Sequence, residues 1–247
     1  RRIAELAPDT VVISSPHAIM YADYIHISPG RGAQGGFSMF GAPQARYEAV
    51  YDQDFVRALA HACQQEDLSA GCEGERDPTL DHGTMIPLHF IQRHTKDFQV
   101  VRLGIGLYGV SPIDNSIINN VSTLKTTILQ IRDVPGEDTV GYSRMGHLTR
   151  PSRIAAIPIG YADGLNRHLG RGNAYCLVNG KKAPYVGNIC MDVCMIDVTD
   201  IDCKEGDSVE IFGDHLPITV LSDVLETIPY EVLTSVSTRV KRIYYQD

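Results

Sequence analysis

Several features of membrane, secreted and metal-binding proteins are missing from this sequence of 247 residues. It has no run of roughly 18 apolar residues that could form a membrane-spanning helix. It also has no basic-then-apolar leader of the kind that directs secretion. The six cysteines form no C-x-x-C pair, which argues against a zinc ribbon or a redox motif. We therefore expect a cytoplasmic protein with reduced cysteines and no membrane partner.

Basic tracts are also missing, and the formal net charge is −8. Because this charge repels phosphate backbones, we expect no nucleic-acid partner and favour a small-molecule substrate. The length allows two modest domains. The chain opens at Arg1-Arg2, directly before a predicted strand, so we expect that an upstream partner strand is missing.

Residues 1–92 have the pattern of an α/β fragment. Thr10–Ser14 is an apolar, β-branched run that is typical of a buried strand. The glycine-dense segment 28–41 predicts a loop. Asp52 or Asp54 can cap a helix for which Gly71 is the predicted stop.

From Phe98 onward, strand-like runs alternate with short turns. The predicted strands are Lys125–Val134, Arg153–Ile159, Ala174–Val178, Ala183–Val186 and Val193–Val198. Asn179-Gly180 predicts a hairpin because both turn positions accept a positive φ. Thr219 or Ser222 can cap a short helix, and 239–245 predicts a closing strand. The predicted fold class is therefore mixed α/β and β, with an N-terminal α/β fragment followed by a mainly β, barrel-like C-terminal domain.

Val100–Gly109 predicts a strand that runs into a turn rich in glycine. Glycines at a strand end offer bare N–H groups to an anion such as phosphate. Taken alone, however, the stretch indicates only a tight turn with an exposed arginine at position 102.

Four further stretches give Val100–Gly109 a wider context. They are Val140–Arg144, Ile157–Gly164, Val186–Asp192 and Ile196–Thr199. In this order and spacing, the five motifs resemble alanine racemases that combine a barrel with a C-terminal β domain, over residues 95–247. The resemblance implies that 93–120 form the last barrel strand and its connection, and that 121–247 form the C-terminal β domain.

This resemblance implies a pyridoxal 5'-phosphate cofactor and an isomerase that supplies D-alanine for cell-wall peptidoglycan. Arg102 matches the arginine that faces the pyridine nitrogen. Since a guanidinium only donates, the ring nitrogen opposite it stays unprotonated, which weakens the cofactor as an electron sink. Gly104 and Ile105 match the turn whose N–H groups hold the cofactor phosphate.

Tyr142 matches the tyrosine that exchanges the substrate Cα proton on one face, while the cofactor-bearing lysine serves the other face. A phenol near pKa 10 needs a cationic environment to act as a base. Arg144 lies on the same face if this segment is a strand. Tyr161 and Met191 match positions that line the substrate entrance and contact the carboxylate region of the amino-acid substrate. In the family this tyrosine reaches into the partner subunit, so the resemblance implies a homodimer.

Two departures from the family pattern are visible. Thr238 stands where many members have a phosphate-binding tyrosine. None of the six lysines lies in a segment that resembles the surroundings of the cofactor-bearing lysine; they are Lys96, Lys125, Lys181, Lys182, Lys204 and Lys241. Without that lysine a racemase lacks its cofactor anchor and its second acid/base group. We therefore predict no racemase activity from this chain alone.

The first half contains histidines in two contexts that suggest a site. Ser15-Pro16-His17 follows the first strand, and Asp81-His82-Gly83 precedes Pro87-Leu88. Side chains at strand ends project into the crevice beyond a sheet. This pairing resembles a fragment of the class III extradiol ring-cleavage (LigB-like) dioxygenases over residues 1–92. The resemblance implies that His17 is a ligand for non-haem Fe(II) or zinc and that His82 is an acid/base group.

Such a site needs about three protein ligands, and His26 could be another. Three hypotheses therefore stay open: a racemase module that needs a barrel, a metal-dependent dioxygenase with an unusual tail, and a fused fragment in which neither site is complete. Since half of an α/β domain leaves strand edges uncovered, we expect 1–92 to be the less stable part.

Overall fold

The structure is a computed structural model that describes residues 2–19, 21, 24–74, 78–110 and 120–244, with only the backbone of Ile105. The chain divides into two compact units, Arg1–Val121 and Ser122–Asp247. Within the described residues, every helix is too short or too polar to cross a membrane.

The first unit combines helices with short sheets. Its helices are α1 Arg2–Leu6, α2 Gln53–Gln65 and α3 His82–Gln92. Its strands are β1 Thr10–Ser15, β2 Ile25–His26, β3 Gly32–Phe37, β4 Ala42–Val50, β5 Ala70–Gly71 and β6 Gln99–Gly104. This arrangement confirms the α/β character of the N-terminal part.

The central pair of the first unit joins the two parts of the chain that resemble different families. β1 and β6 run parallel, with Thr10 opposite Gln99 and Ser15 opposite Gly104. Val101 is fully buried in β6, as expected for a parallel strand that is covered on both faces. We expected the strand edges of this part to be uncovered, but β6 pairs with one edge of β1.

The predicted loop over 28–41 is wrong, because β3 and β4 form an antiparallel hairpin there. Its glycines permit close packing. A Cβ built at Gly35 would lie 2.7 Å from both the Leu80 carbonyl oxygen and the Met85 sulfur. Glycine in a strand often marks such a close approach, so glycine density alone did not indicate a loop.

Helix α2 begins as predicted, since an Asp52 carboxylate oxygen accepts a hydrogen bond from the Phe55 amide at 2.9 Å. The predicted stop at Gly71 is wrong. The helix ends at Gln65, and Gly71 lies in β5, where it pairs with His26.

The second unit is mainly β. Its strands are β7 Leu124–Thr127, β8 Gln130–Val134, β9 Thr139–Val140, β10 Gly146–His147, β11 Ser152–Ile157, β12 Tyr175–Val178, β13 Lys181–Val186, β14 Cys194–Asp197 and β15 Ser208–Phe212. Seven of them form one curled antiparallel sheet in the order β7-β15-β12-β13-β14-β11-β8. Ile157, Val178 and Ile196 are fully buried in it. The predicted fold class is confirmed.

The C-terminal region differs from its prediction in two places. Helix α4, Ile218–Val224, begins after Pro217 without a side-chain cap, and helix α5 covers Pro229–Ser235. Neither Thr219 nor Ser222 caps α4, because both lie inside it. The predicted strand over 239–245 is also wrong over its described residues 239–244. There the arginine side chains bind loops and carbonyl groups instead, and residue 245 lies outside the described residues.

The hairpin at Asn179-Gly180 is confirmed and gives a first prediction. It joins the antiparallel strands β12 and β13, with φ values of 49° at Asn179 and 74° at Gly180. A Cβ at Gly180 would meet no atom within 4 Å. The cost of Gly180→Ala should therefore come from the positive φ, and should lower the free energy of unfolding by about 1 kcal/mol.

Native-state hydrogen exchange of the β12 and β13 amides would measure that loss. Gly180→Asn is the matched control, because asparagine tolerates positive φ and should retain most of the stability. Equal effects of alanine and asparagine would contradict this account of the turn.

Candidate functional site

The first unit is organised around a buried ion pair. Arg102 lies on β6 with only 1% of its side chain exposed, and its Nη2 lies 2.7 Å from an Asp81 carboxylate oxygen. Its Nη1 donates to the Thr79 carbonyl oxygen at 3.1 Å. A buried charge is tolerated when a partner of opposite sign is hydrogen-bonded to it, so the two side chains depend on each other.

Asp81 also collects donors from two other elements. Its carboxylate caps α3 by accepting the Thr84 amide at 2.9 Å and the Thr84 hydroxyl at 2.8 Å. The Ser15 hydroxyl at the end of β1 donates to it as well. Burial raises the pKa of Asp81, but the Ser15 and Thr84 hydrogen bonds and the Arg102 charge outweigh burial and hold that pKa below its usual value.

This arrangement does not fit pyridoxal phosphate. Both terminal nitrogens of Arg102 donate to protein acceptors, and only 1% of the side chain is exposed, so the guanidinium is not presented to a bound ligand. A Cβ built at Gly104 would lie 3.3 Å from the Ile19 carbonyl oxygen and 3.6 Å from that of His26. Glycine at position 104 therefore permits close packing of β6 against these two backbone segments. The side chain of Ile105 lies outside the described residues, and we assign no step to a cofactor in this unit.

His17 and His82 do come together. Their ring centroids are 4.0 Å apart with planes tilted by 36°. His17 follows β1 as predicted, but His82 is the first residue of α3 and does not end a strand. A Cβ at Gly83 would lie 2.6 Å from the Ser15 hydroxyl, so glycine allows α3 to approach β1 closely.

The described residues contain no group of three or more histidine, cysteine or acidic side chains that could hold a metal. His26 is 1% exposed in β2. Its burial, together with the nearby charge of Arg102, lowers its pKa. A neutral imidazole is the expected form at neutral pH.

Tyr142 lies in the second unit on a strained turn. Residues 142–144 form a 3-10 turn in which Ser143 and Arg144 have φ values of 58° and 53°. The Tyr142 side chain is 74% exposed. The segment is therefore not a strand, so Arg144 does not share a strand face with Tyr142. The Arg144 Nε donates to the Thr139 hydroxyl at 2.9 Å instead.

Asn188 and Arg171 hold the backbone of this turn through two hydrogen bonds, and neither residue was predicted to belong to the site. The Asn188 side-chain amide donates to the Tyr142 carbonyl oxygen at 3.1 Å. The Arg171 Nε in turn donates to the Asn188 side-chain oxygen at 2.7 Å. Asn188 lies within a recognised motif, which could have drawn attention to it, whereas no sequence signal marks Arg171.

Tyr161 and Met191 lie on two loops that are bonded to each other. The Tyr161 amide donates to Cys190 O and the Ala162 amide to Met191 O, each at 3.0 Å. A Cβ at Gly160 would lie 2.3 Å from both of these carbonyl oxygens, so only glycine permits this contact. Tyr161 is 40% exposed and Met191 53% exposed.

One segment therefore connects all three predicted residues of the second unit. Residues 187–192 hold Tyr142 through Asn188 and hold the Tyr161 loop through Cys190 and Met191. The guanidinium of Arg167 lies 5.8 Å from the centre of the Tyr161 ring, within the range of a cation–π interaction.

A family model described as the C-terminal domain of alanine racemase matches residues 121–244. The chain belongs to the alanine racemase C-terminal domain family. A second family model, the catalytic LigB subunit of aromatic ring-opening dioxygenase, matches residues 1–112. Both resemblances inferred from the sequence motifs are confirmed, and the LigB match extends past residue 92 to include β6.

Curated relatives and solved structures agree with the racemase assignment. Alanine racemase 2 of Caldanaerobacter subterraneus is 45% identical over 156 residues, which cover 59% of this chain and 39% of that protein. Alanine racemase of Helicobacter pylori strain J99 is 36% identical over 207 residues, covering 80% of this chain and 50% of that protein. The chain spans about half of the length of its relatives, or less.

The crystal structure of alanine racemase from Bartonella henselae, with covalently bound pyridoxal phosphate, has a TM-score of 0.56 and 34% identity to the chain. The match covers 80% of this chain and 53% of that one. The biosynthetic alanine racemase of Pseudomonas aeruginosa has a TM-score of 0.57 and 27% identity, covering 74% and 50% respectively.

The buried ion pair gives a second prediction. Arg102→Met leaves the Asp81 carboxylate buried without its counter-ion, and should destabilise the first unit by about 3–5 kcal/mol. Asp81→Asn should be similarly costly. The double variant should lose less than the sum of the two by about 2 kcal/mol, measured by native-state hydrogen exchange of the β6 amides.

The matched control is Arg57→Met, which removes an exposed ion pair with Asp54 in α2. It should leave the exchange of β6 unchanged, because exposed pairs contribute little. Strict additivity of the Arg102 and Asp81 substitutions would refute the proposed coupling.

The depressed pKa of Asp81 gives a third prediction, on acid stability. In the unfolded chain this carboxyl has a pKa of about 3.9. Its contribution is fully present above that value and is lost as the pH falls through the lower folded-state pKa. Urea unfolding at pH 6 and pH 3 should show the first unit weakening in acid. The weakening should be smaller in Asp81→Asn, and equal weakening in both proteins would contradict this assignment.

Proposed function

We propose that the second unit is the tyrosine-bearing β domain of an alanine racemase, and that it completes a site on a racemase barrel. This proposal rests on one observation. The Tyr142 side chain is 74% exposed, and Asn188 holds the backbone of its turn by a hydrogen bond. The same segment holds Tyr161 and Met191. In the proposed racemase homodimer, Tyr142, Tyr161 and Met191 face the amino-acid substrate, alanine.

In this proposal Tyr142 exchanges the Cα proton on one face of alanine. Racemisation needs a second group on the opposite face, because one base that returns its own proton leaves the stereocentre unchanged. The barrel supplies that group as its lysine, and it also holds pyridoxal phosphate, which withdraws electrons from the Cα when bound. Tyr161 and the Met191 backbone border the substrate carboxylate.

The barrel must also help to activate Tyr142. A phenol with a pKa near 10 is mostly protonated at neutral pH, and a nearby positive charge favours its phenolate. The closest cation in sequence, Arg144, donates its Nε to Thr139. Because a bond to a neutral hydroxyl leaves the guanidinium charged, we assign the activating charge to Arg144 together with cations of the barrel surface that receives Tyr142.

We propose that the 247-residue polypeptide does not racemise alanine by itself. Arg102 is buried and bonded to Asp81, and none of the six lysines lies in a segment that resembles the surroundings of the cofactor-bearing lysine. Interconversion of L- and D-alanine by the purified polypeptide, or an aldimine absorbance after addition of pyridoxal phosphate, would contradict this proposal.

A second candidate function concerns the first unit, where His17 and His82 lie 4.0 Å apart between ring centroids. The match to the LigB model favours a ring-cleavage dioxygenase. The described residues supply only this histidine pair toward a metal, since they contain no group of three or more ligands. Iron in a 1:1 ratio to protein, lost in a His17→Ala variant, would support it. Purified protein without stoichiometric iron or zinc after loading would reject it.

A chimera gives the fourth prediction. Residues 122–247 would replace the C-terminal domain of the Helicobacter pylori alanine racemase, and the chimera should racemise alanine. Tyr142→Phe in this chimera should lower kcat by about 10²–10⁴-fold, since a positioned acid/base group contributes this much. The barrel lysine should still exchange the Cα proton of one enantiomer with solvent deuterium, while the other enantiomer exchanges far more slowly.

Tyr175→Phe is the control, because Tyr175 lies in β12 against Lys182 and has no proposed role. It should retain full activity. A Tyr142→Phe chimera that loses both exchange reactions equally would show that Tyr142 supports the fold and does not transfer a proton on one face.

A further inference from the structure

Arg239 joins the two loops that carry Tyr161 and Met191. Its Nε donates to an Asp163 carboxylate oxygen at 2.7 Å, and its Nη2 donates to an Asp192 carboxylate oxygen at 2.6 Å. Asp163 lies two residues after Tyr161, and Asp192 directly follows Met191. One guanidinium therefore binds a carboxylate on each loop.

The Asp163 end of this bridge is well ordered by other bonds. Its second carboxylate oxygen accepts the Gly160 amide at 2.8 Å, and only 15% of its side chain is exposed. The Ser237 amide donates to the Asp163 carbonyl oxygen at 3.0 Å. The segment before Arg239 is thus fixed to the Tyr161 loop, and the guanidinium reaches from there to Asp192.

The Met191 side of the bridge is more exposed. Asp192 has 61% of its side chain exposed and Arg239 has 46%. An isolated exposed pair adds little to stability. Here, however, one planar cation serves two carboxylates, and its geometry suits two directed hydrogen bonds at once. The bridge therefore restricts the relative position of the loops more than it stabilises the whole unit.

We propose that Arg239 is a positioning residue that sets the spacing of Tyr161 and Met191 by clamping Asp163 and Asp192. This inference rests on the proposed function for its purpose, since the two loops are the predicted border of the substrate carboxylate. Arg239 does not touch the substrate in this account. Its effect passes through the two carboxylates to the Tyr161 and Ala162 amides that bond the loops together.

The test is site-resolved amide hydrogen exchange on the intact 247-residue protein. In Arg239→Gln, the Tyr161 and Ala162 amides should exchange roughly fivefold to tenfold faster, because the loops separate more often. The β11 and β14 amides should be unchanged. Arg239→Lys should give an intermediate result, because one ammonium group cannot match both carboxylates as a planar fork does.

Arg150→Gln is the matched control, since Arg150 forms an exposed ion pair with Asp200 on the same unit. It should leave the Tyr161 and Ala162 amides unchanged. Asp192→Asn should reproduce part of the Arg239→Gln effect, and the two changes together should add less than their sum.

Two results would overturn the proposal. Unchanged exchange at Tyr161 and Ala162 in Arg239→Gln would show that the backbone bonds alone set the loops. Equal acceleration at β11 and β14 would show that Arg239 supports the whole unit. The measurement uses no substrate and no barrel, so its outcome is independent of whether the chimera described above racemises alanine.

Discussion

The buried ion pair between Arg102 and Asp81 is the interaction on which the first unit depends. A guanidinium that is 1% exposed keeps its charge, so it needs a buried carboxylate. That carboxylate also caps α3 and receives the hydroxyl of Ser15 at the end of β1. Three elements from distant parts of the chain therefore meet at one pair of charges.

The same pair decides between two uses of Arg102. If the guanidinium turned away from Asp81 toward a pyridine nitrogen, it would leave that carboxylate buried without a counter-ion, which costs about 3–5 kcal/mol. A hydrogen bond between a charged donor and a ring nitrogen returns about 1.5–3 kcal/mol. The loss exceeds the gain, so Arg102 stays with Asp81. The racemase-like strand β6 is therefore folded around a buried ion pair that engages its arginine.

The features that the sequence predicted correctly rest on local signals. Asp52 caps α2 through an amide three residues away, and the Asn179-Gly180 turn depends on two adjacent residues. The β character of the second unit follows from alternating runs. These signals need no knowledge of what packs against the segment, which is why they could be interpreted from the sequence alone.

The errors arose where a distant contact decides the local structure. Gly35 lies in a strand because Leu80 and Met85 pack closely against it. Arg102 is buried because Asp81, 21 residues earlier, balances its charge. Asp81 followed three residues later by Thr84 is a local capping signal that places His82 at a helix start and not at a strand end. The positive φ values at Ser143 and Arg144 had no sequence signal.

The candidate site of the second unit is held in a different way from the core of the first. Tyr142, Tyr161 and Met191 are all exposed, so burial of their side chains does not fix their positions. The backbone beneath them does so through segment 187–192, with directed hydrogen bonds whose partners are defined by geometry. The exposed phenol of Tyr142 can insert into a cleft of another protein surface. Because its backbone is already fixed, the turn loses little conformational entropy when this contact forms. This combination of a rigid support and an exposed tip is what a residue needs if it is to complete a site built by another surface.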